Sequence, residues 1–287
     1  MKIKTILSAG IISVCFAAES HALTITNTTN TTALATALGG GGGLTVNSVA
    51  YTNGASTQIG TYTDFTSAPV TLGDGVVMST GLATQTTAAF ISGGNSPDTT
   101  TGAGSTAEFN AYGPGHITNF SSSNDVARLV VNFTLAVASQ VSYQFVFGSV
   151  EYPVYASNYT DAFLAFLDGT AVANQIMFDG SNNAVQVGGS FAGSLTTADT
   201  NTAFAGVHGL LKLKTTTALL AAGVHTLTFE VGDVNDGALD SAAFITNLQG
   251  DSGTAGTSTS VPDSGSTVAM LGAALAGIAG LRRKFGV

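Results

Sequence analysis

Residues 140–148 have the sequence QVSYQFVFG, in which large apolar side chains recur at every second position. One face of this segment carries Val141, Tyr143, Phe145 and Phe147, and the other carries Ser142, Gln144 and Val146. A second segment has the same period, with Leu227, Phe229 and Val231 alternating with Thr226, Thr228 and Glu230. A period of two is typical of a β-strand that buries one face. These segments therefore predict a sheet with an apolar core side.

Further strands are predicted on both sides of these two segments, with polar or glycine-rich breaks between them. The predicted strands are Leu44–Tyr51, Gly75–Ser79, Ala127–Leu135, Gln140–Gly148, Asp161–Leu167, Ala171–Phe178, Leu210–Lys214, Val224–Val231 and Ala243–Leu248. Two short helices, Thr31–Leu38 and Thr216–Ala222, each end before a glycine. The long, weakly patterned stretch from Gly81 to Ser123 predicts a surface excursion. This organisation predicts an all-β body of the sandwich or jelly-roll kind.

The N-terminus has the three parts of a secretory signal peptide. Lys2 and Lys4 precede an apolar run from Ile6 to Ala18, and small residues at positions 20 and 22 suit signal peptidase. We therefore predict a signal peptide over residues 1–22 that forms an apolar helix and is cleaved after Ala22. The body then extends from residue 23 to residue 250, a length that suits one large β domain.

The C-terminus has the order of a membrane-associated tail. Residues 251–260 form a Gly/Ser/Thr-rich linker that is predicted to be flexible, and residues 261–287 follow as the tail. The uncharged helix predicted over residues 267–281 is short for a membrane span, and it ends at the basic residues Arg282, Arg283 and Lys284. These basic residues would hold their end in the cytoplasm. The tail is therefore predicted to be a marginal membrane anchor with the body outside.

The motif Val261-Pro262-Asp263-Ser264-Gly265, followed by the short span and the basic cluster, resembles the PEP-CTERM class of sorting tails in its VPDSG variant. The resemblance implies processing near the proline motif by an exosortase, an integral membrane protease-transpeptidase of bacteria that make extracellular polysaccharide. It also implies a chain anchored briefly in the inner membrane and then delivered to the cell surface or the extracellular space. The commoner form of the motif has Glu-Pro where Asp263-Ser264 stands, so the matching enzyme subtype stays open.

The charge distribution restricts the partners of the body. Between Thr24 and Ser260 the only basic residues are Arg128, Lys212 and Lys214, against fifteen acidic residues, so the body carries a charge near −12. Nucleic-acid binding needs clustered basic side chains and is therefore excluded as a function. The only cysteine, Cys15, lies in the predicted signal peptide, so thiolate catalysis and thiolate metal sites are excluded as well.

Acidic residues are densest at Asp233, Asp236 and Asp240, directly after a predicted strand. Glu151 and Asp161 could approach them from neighbouring loops. Oxygen-rich turns of this kind bind calcium, which takes six to eight hard ligands, although the spacing differs from that of the helical calcium loop. Two interpretations stay open: a calcium site formed by these five residues, or solvated turn acids and Asx caps.

Three stretches of the body resemble the choice-of-anchor L domain, a module of exported bacterial proteins. The stretches are Leu44–Tyr51 with Gly75–Gly81, Phe145–Pro153 with Asp161–Gly169, and Asp233–Ala242. The resemblance implies no known enzymatic activity, and it covers nearly the whole body. Family members usually carry acids where Val150 and Val154 stand, which weakens any acidic function of that loop here.

These observations predict a non-enzymatic exported protein of the cell surface or extracellular matrix. One alternative is a carbohydrate-binding or adhesive module that contacts extracellular polysaccharide through Tyr112, Tyr152, Tyr155 and Tyr159. A weaker alternative is a glycan hydrolase with a carboxylate pair among Glu108, Glu151 and Glu230. His225 is expected to be a packed or surface residue of its strand rather than a catalytic base.

Overall fold

Two antiparallel β-sheets packed face to face form the body of the protein in a computed structural model. The structure describes residues 22–67, 70–189, 200–204, 208–251 and 259–260. The prediction of an all-β, sandwich-like body with few helices is confirmed.

The described residues contribute twelve strands to these two sheets. In chain order they are β1 (Thr24–Asn27), β2 (Leu44–Asn53), β3 (Ile59–Ser67), β4 (Val70–Ser79), β5 (Ser123–Leu135), β6 (Gln140–Ser149), β7 (Ala162–Leu167), β8 (Val185–Gln186), β9 (Leu210–Thr216), β10 (Gly223–Val234), β11 (Ser241–Asp251) and β12 (Thr259–Ser260). One sheet has the order β1-β3-β4-β11-β6-β9-β12, and the other has the order β2-β5-β10-β7-β8. Chain neighbours β6 and β7 therefore lie in different sheets, as do β10 and β11.

The two alternating segments face each other across the core. Phe145 of β6 and Phe163 of β7 meet edge to face with ring centroids 5.2 Å apart, and Tyr143 meets Phe229 of β10 at 5.0 Å. All four rings are fully buried. Burying a side chain of this size contributes about 1.5–3 kcal/mol, so this aromatic layer is a principal contact between the sheets.

A few short helices lie outside the two sheets. Helix α1 (Thr31–Leu38) has the predicted bounds: Asn30 accepts hydrogen bonds from the first-turn amides, and Leu34 and Leu38 are fully buried. The predicted surface excursion contains a 3₁₀ turn (Ala83–Thr86) and two short helices, α2 (Ala88–Ile91) and α3 (Ala107–Tyr112).

Two predicted elements are wrong. The predicted helix Thr216–Ala222 is extended, because Thr217 exchanges hydrogen bonds with Val141 of β6 through its amide and its hydroxyl. That edge pairing takes precedence over the weak helical pattern. The predicted strand Ala171–Phe178 is a 3₁₀ turn (Val172–Asn174) followed by isolated bridges. Asn174 turns the chain there by donating to the Leu167 carbonyl oxygen at 2.8 Å.

The two termini of the sequence fall mostly outside the described residues. Ala22 is exposed and Leu23 is buried against the body, while residues 1–21 of the predicted signal peptide are not described. Of the predicted linker, Asp251 closes β11 and residues 259–260 form β12, which pairs with β9. The predicted membrane segment 267–281 lies outside the described ranges. Within those ranges no helix is long and apolar enough to cross a bilayer.

Candidate functional site

One end of the sandwich gathers the five acidic residues that the sequence predicts as calcium ligands. Glu151 lies two residues after the end of β6, and Asp161 directly precedes β7. Asp233 lies near the end of β10, and Asp240 directly precedes β11. Strand pairing aligns these ends, with Ser241 opposite Ser149 in one sheet and Gly232 opposite Ala162 in the other. Both sheets therefore contribute to one group of carboxyls. We call this group the acidic cluster: Glu151, Asp161, Asp233, Asp236 and Asp240.

The acidic cluster is buried. Glu151, Asp161 and Asp240 have no exposed surface, and Asp233 is 1% exposed. Asp236 is half-buried and reaches the surface. Isolated carboxylates are seldom buried in this way, because transfer of a charge out of water costs several kcal/mol unless a partner compensates it.

Two members of the cluster have well-defined partners. Asp161 accepts a hydrogen bond from the Ser241 hydroxyl at 2.6 Å and another from the Val234 amide at 3.0 Å. Asp240 accepts one from the Thr99 amide at 3.0 Å through Oδ1, whereas its Oδ2 has none. These bonds fix the positions of both carboxyls.

Glu151 and Asp233 are different, because none of their four carboxyl oxygens makes a hydrogen bond. Both lie beside Asp161, but two carboxyl groups can bond to each other only if one of them carries a proton. The Thr80 hydroxyl also lies close to Asp233, yet it donates to the Ser241 carbonyl oxygen at 3.4 Å. These two buried carboxyls therefore accept no hydrogen bond of normal geometry.

The electrostatic environment of the cluster favours neutral carboxyls. Burial raises the pKa of every member, and it is the largest cause in each case. Neighbouring carboxylates add to the effect: Asp161 and Asp236 raise the pKa of Glu151, while Asp98 and Asp161 help to raise that of Asp240 to about 7. Arg128 does not pair with these carboxyls, because its guanidinium is bound to Glu108 and Glu230, which lie outside the cluster.

A short piece of the surface excursion lies over the cluster; we call residues 97–101 the cover segment. The Pro97 carbonyl oxygen accepts from the Asp240 amide at 3.1 Å, and Asp98 Oδ1 accepts from the Leu239 amide at 3.1 Å. The Thr99 amide donates to Asp240, and the Thr100 hydroxyl donates to the Gly237 carbonyl oxygen at 2.6 Å. Four consecutive residues are thus tied to the loop that contains Asp236 and Asp240.

An open cleft of about 450 Å³ lies beside the cover segment. Its lining is small and polar: Thr100, Gly102, Ala103, Ser122, Asn124, Asp125, Asn235, Asp236 and Gly237. Asp236 belongs both to this lining and to the acidic cluster, so the cleft and the cluster meet at this residue.

The side chains do not form a ready metal centre as they stand. In the described ranges, no group of three or more His, Cys, Asp or Glu residues is positioned so that it could hold a metal ion. The structure thus brings the five predicted residues together, and calcium binding by them stays a prediction.

Asp125, which was not predicted from the sequence as a site residue, is 1% exposed and binds the cover segment. Its carboxyl accepts from the Thr101 hydroxyl at 2.8 Å and from the Thr101 amide at 3.1 Å. Its position just before the predicted strand Ala127–Leu135, an acid at a strand end, is the signal that could have identified it. Asp125 thus binds Thr101 of the cover segment, while Asp240 binds Thr99.

Glu108, Glu230 and His225 are each bound to a charged side chain. Glu108 and Glu230 both bind Arg128, at 2.6 and 3.2 Å, and Glu230 has no exposed surface. His225 is bound to Asp168 at 2.7 Å and to the Ala221 carbonyl oxygen at 2.9 Å, as expected for a packed strand residue.

Of the four tyrosines predicted for sugar binding, Tyr112 is buried and does not suit that role. Tyr112 is 2% exposed and stacks on His116, so it offers no ring face to a ligand. Tyr155 is 46% exposed, and Tyr152 and Tyr159 are half-buried. The structure thus leaves one of the four rings open to solvent.

Comparison with known protein families supports both resemblances. Residues 23–249 match the Choice-of-anchor L domain, and residues 260–285 match the VPDSG-CTERM motif. No curated protein matches the chain. The two family matches indicate an exported, surface-associated protein with a C-terminal sorting signal, of a kind that an exosortase-like system processes. Since the first match covers most of the sequence, the chain belongs to the choice-of-anchor L domain family.

Proposed function

We propose that this chain is a non-enzymatic protein of the cell surface or extracellular matrix, delivered by proteolytic processing of its tail. The observation that carries the proposal is the position of the VPDSG-CTERM motif, which begins at residue 260, where the last described strand ends. The body supplies a folded module, and the tail supplies its delivery.

The tail would act in two steps. The apolar residues 267–281 would anchor the exported chain in the inner membrane, with Arg282, Arg283 and Lys284 on the cytoplasmic side. An exosortase-type enzyme would then process the chain within Val261–Gly265. Processing there would leave every strand that the structure describes on the released body, because the last of them ends at Ser260.

The proposal of a non-enzymatic body rests on the state of its carboxyl groups. The pair Glu108 and Glu230 is held by Arg128 and closed to solvent on the Glu230 side. A glycosidase pair must instead reach the two faces of a bound sugar ring. Glu151, the third predicted candidate, is fully buried in the acidic cluster.

The test is to express the full chain in a bacterium with an exosortase and to compare the wild type with Pro262→Ala. We expect the released wild-type protein to have an intact mass that ends within Val261–Gly265, and the variant to accumulate in the membrane fraction. Pro114→Ala, an exposed proline of the body, is the matched control and should be released like the wild type. Released protein that still extends to Val287, or normal release of the Pro262 variant, would contradict the proposal.

A further inference from the structure

We propose that the acidic cluster binds calcium and that the bound ion locks the cover segment onto the end of the sandwich. This site would be a structural feature of the body, so it does not depend on the function proposed for the tail.

Glu151 and Asp233 are buried carboxyls whose oxygens lack hydrogen-bond partners. Their four carboxyl oxygens are buried and receive no hydrogen bond, although each side chain faces further carboxyls of the cluster. A buried donor or acceptor without a partner costs about 1–3 kcal/mol, and more when it is charged. A cation between these side chains would satisfy all of these oxygens at once.

The ligands that the cluster offers to a metal ion are all carboxyl oxygens. All five side chains are carboxyls, and Asp240 Oδ2 and Asp236 Oδ1 are further buried oxygens without a partner. An all-oxygen environment with many carboxylates suits calcium, which accepts six to eight ligands in flexible geometry. Zinc prefers nitrogen and sulfur donors, and magnesium retains water in near-ideal octahedra.

Asp236 and Asp240 connect the cluster to the open cleft and to the cover segment, respectively. Asp236 lines the open cleft and is the one member of the cluster that is only half-buried, so an ion would meet this carboxyl first. Asp240 holds the Thr99 amide with one oxygen and has its other oxygen free for the ion. Because the carboxyls are not arranged to hold an ion as they stand, binding requires side-chain rotations around the ion. Those rotations would fix the loop to which the cover segment is bonded.

The alternative occupant of the cluster is a set of protons shared among the carboxyls. The two differ in a measurable way, because a ligand that binds only the folded state stabilises it by mass action. With calcium chloride at a hundredfold excess over the dissociation constant, the melting temperature of the full chain should rise by about 5 °C or more relative to chelator at pH 7.5. Shared protons predict identical melting curves in the two conditions.

The experiment combines titration calorimetry with calcium, metal analysis of the purified full chain, and thermal melts. Asp233→Asn and Glu151→Gln should each weaken calcium binding by at least about tenfold, since each removes a charged ligand. Glu230→Gln is the matched control, because it changes a buried carboxyl outside the cluster and should leave the calcium-dependent shift unchanged. Limited proteolysis adds a readout for the cover segment, where cleavage within residues 97–101 should be several-fold faster in chelator.

Three outcomes would overturn the proposal. The first is wild-type protein that holds no calcium and melts identically with calcium and with chelator. The second is an equal shift with magnesium at the same concentration, which would contradict the assignment to calcium. The third is an undiminished calcium-dependent shift in both Asp233→Asn and Glu151→Gln. If one variant fails to fold, the other variant and the metal content of the wild type still decide the question.

Discussion

The Ser241 hydroxyl donates a hydrogen bond of 2.6 Å to Oδ2 of Asp161, and this bond joins the two sheets of the sandwich. Ser241 is the first residue of β11 in the seven-stranded sheet, and Asp161 directly precedes β7 in the five-stranded sheet. Both residues are fully buried. The acidic cluster is therefore also a mechanical connection at the end of the fold.

Ser241→Ala should weaken this connection. The substitution removes the donor and leaves one buried oxygen of Asp161 without a partner, which costs about 1.5–3 kcal/mol when the acceptor is a carboxylate. Urea unfolding of the full chain should show a lower midpoint with an unchanged slope. Ser96→Ala, at an exposed position of the excursion, is the control and should stay within about 0.5 kcal/mol of the wild type. Equal midpoints for the two variants would show that the bond contributes nothing.

The sequence predicts the centre of the fold better than its edges. Strands β5, β6, β10 and β11 contain the predicted segments, because an alternating or continuous apolar pattern is strong where strands are buried. Strand β3 was not predicted, since Thr61, Thr63 and Thr66 interrupt its few apolar residues. Its identity depends on pairing with β1 and β4, and such long-range pairing leaves no local signal.

The same limit applies to the acidic cluster. Local density identified Asp233, Asp236 and Asp240, and Glu151 and Asp161 were predicted to approach them from neighbouring loops. The sequence did not indicate burial, which arises because β6 and β10 end, and β7 and β11 begin, at the same side of the two sheets. It also did not indicate the cover segment, whose contacts with Asp125 and Asp240 span 24 and 141 residues.

Gly81→Ala should destabilise the protein by crowding the acidic cluster. A Cβ at Gly81 would overlap the carboxyl group of Asp240, whose position is fixed by the Thr99 amide. Overpacking of this kind costs about 1–3 kcal/mol, because the short Asp240 side chain cannot move without losing its bond. Thermal or urea unfolding measures the loss. Gly180→Ala is the matched control, since a Cβ there meets open space. A Gly81 variant as stable as the Gly180 variant would show that the cluster has room to adjust.

The carboxyl of Glu230 should make stability fall as the pH rises from 5 to 8. Burial, and then the negative charge of Glu108, raise the pKa of Glu230 from 4.5 to about 8 in the folded protein. Arg128 opposes this shift, but its Nε lies closer to Glu108, at 2.6 Å against 3.2 Å. At neutral pH Glu230 therefore carries a proton in the folded protein but is ionised in the unfolded chain.

The sign of the effect follows from this difference in protonation. The stability that Glu230 contributes is complete below about pH 4.5, where both states hold the proton, and it is lost as the pH rises through 8. Glu230→Gln keeps a neutral side chain at every pH, so its free energy of unfolding should fall less between pH 5 and 8, by on the order of 2–4 kcal/mol. Urea midpoints at three pH values measure the two slopes. Asp74→Asn, an acid-to-amide change at an exposed position, should keep the wild-type slope. Parallel slopes for the wild type and Glu230→Gln would mean that Glu230 is ionised in the folded protein and forms a true ion pair with Arg128.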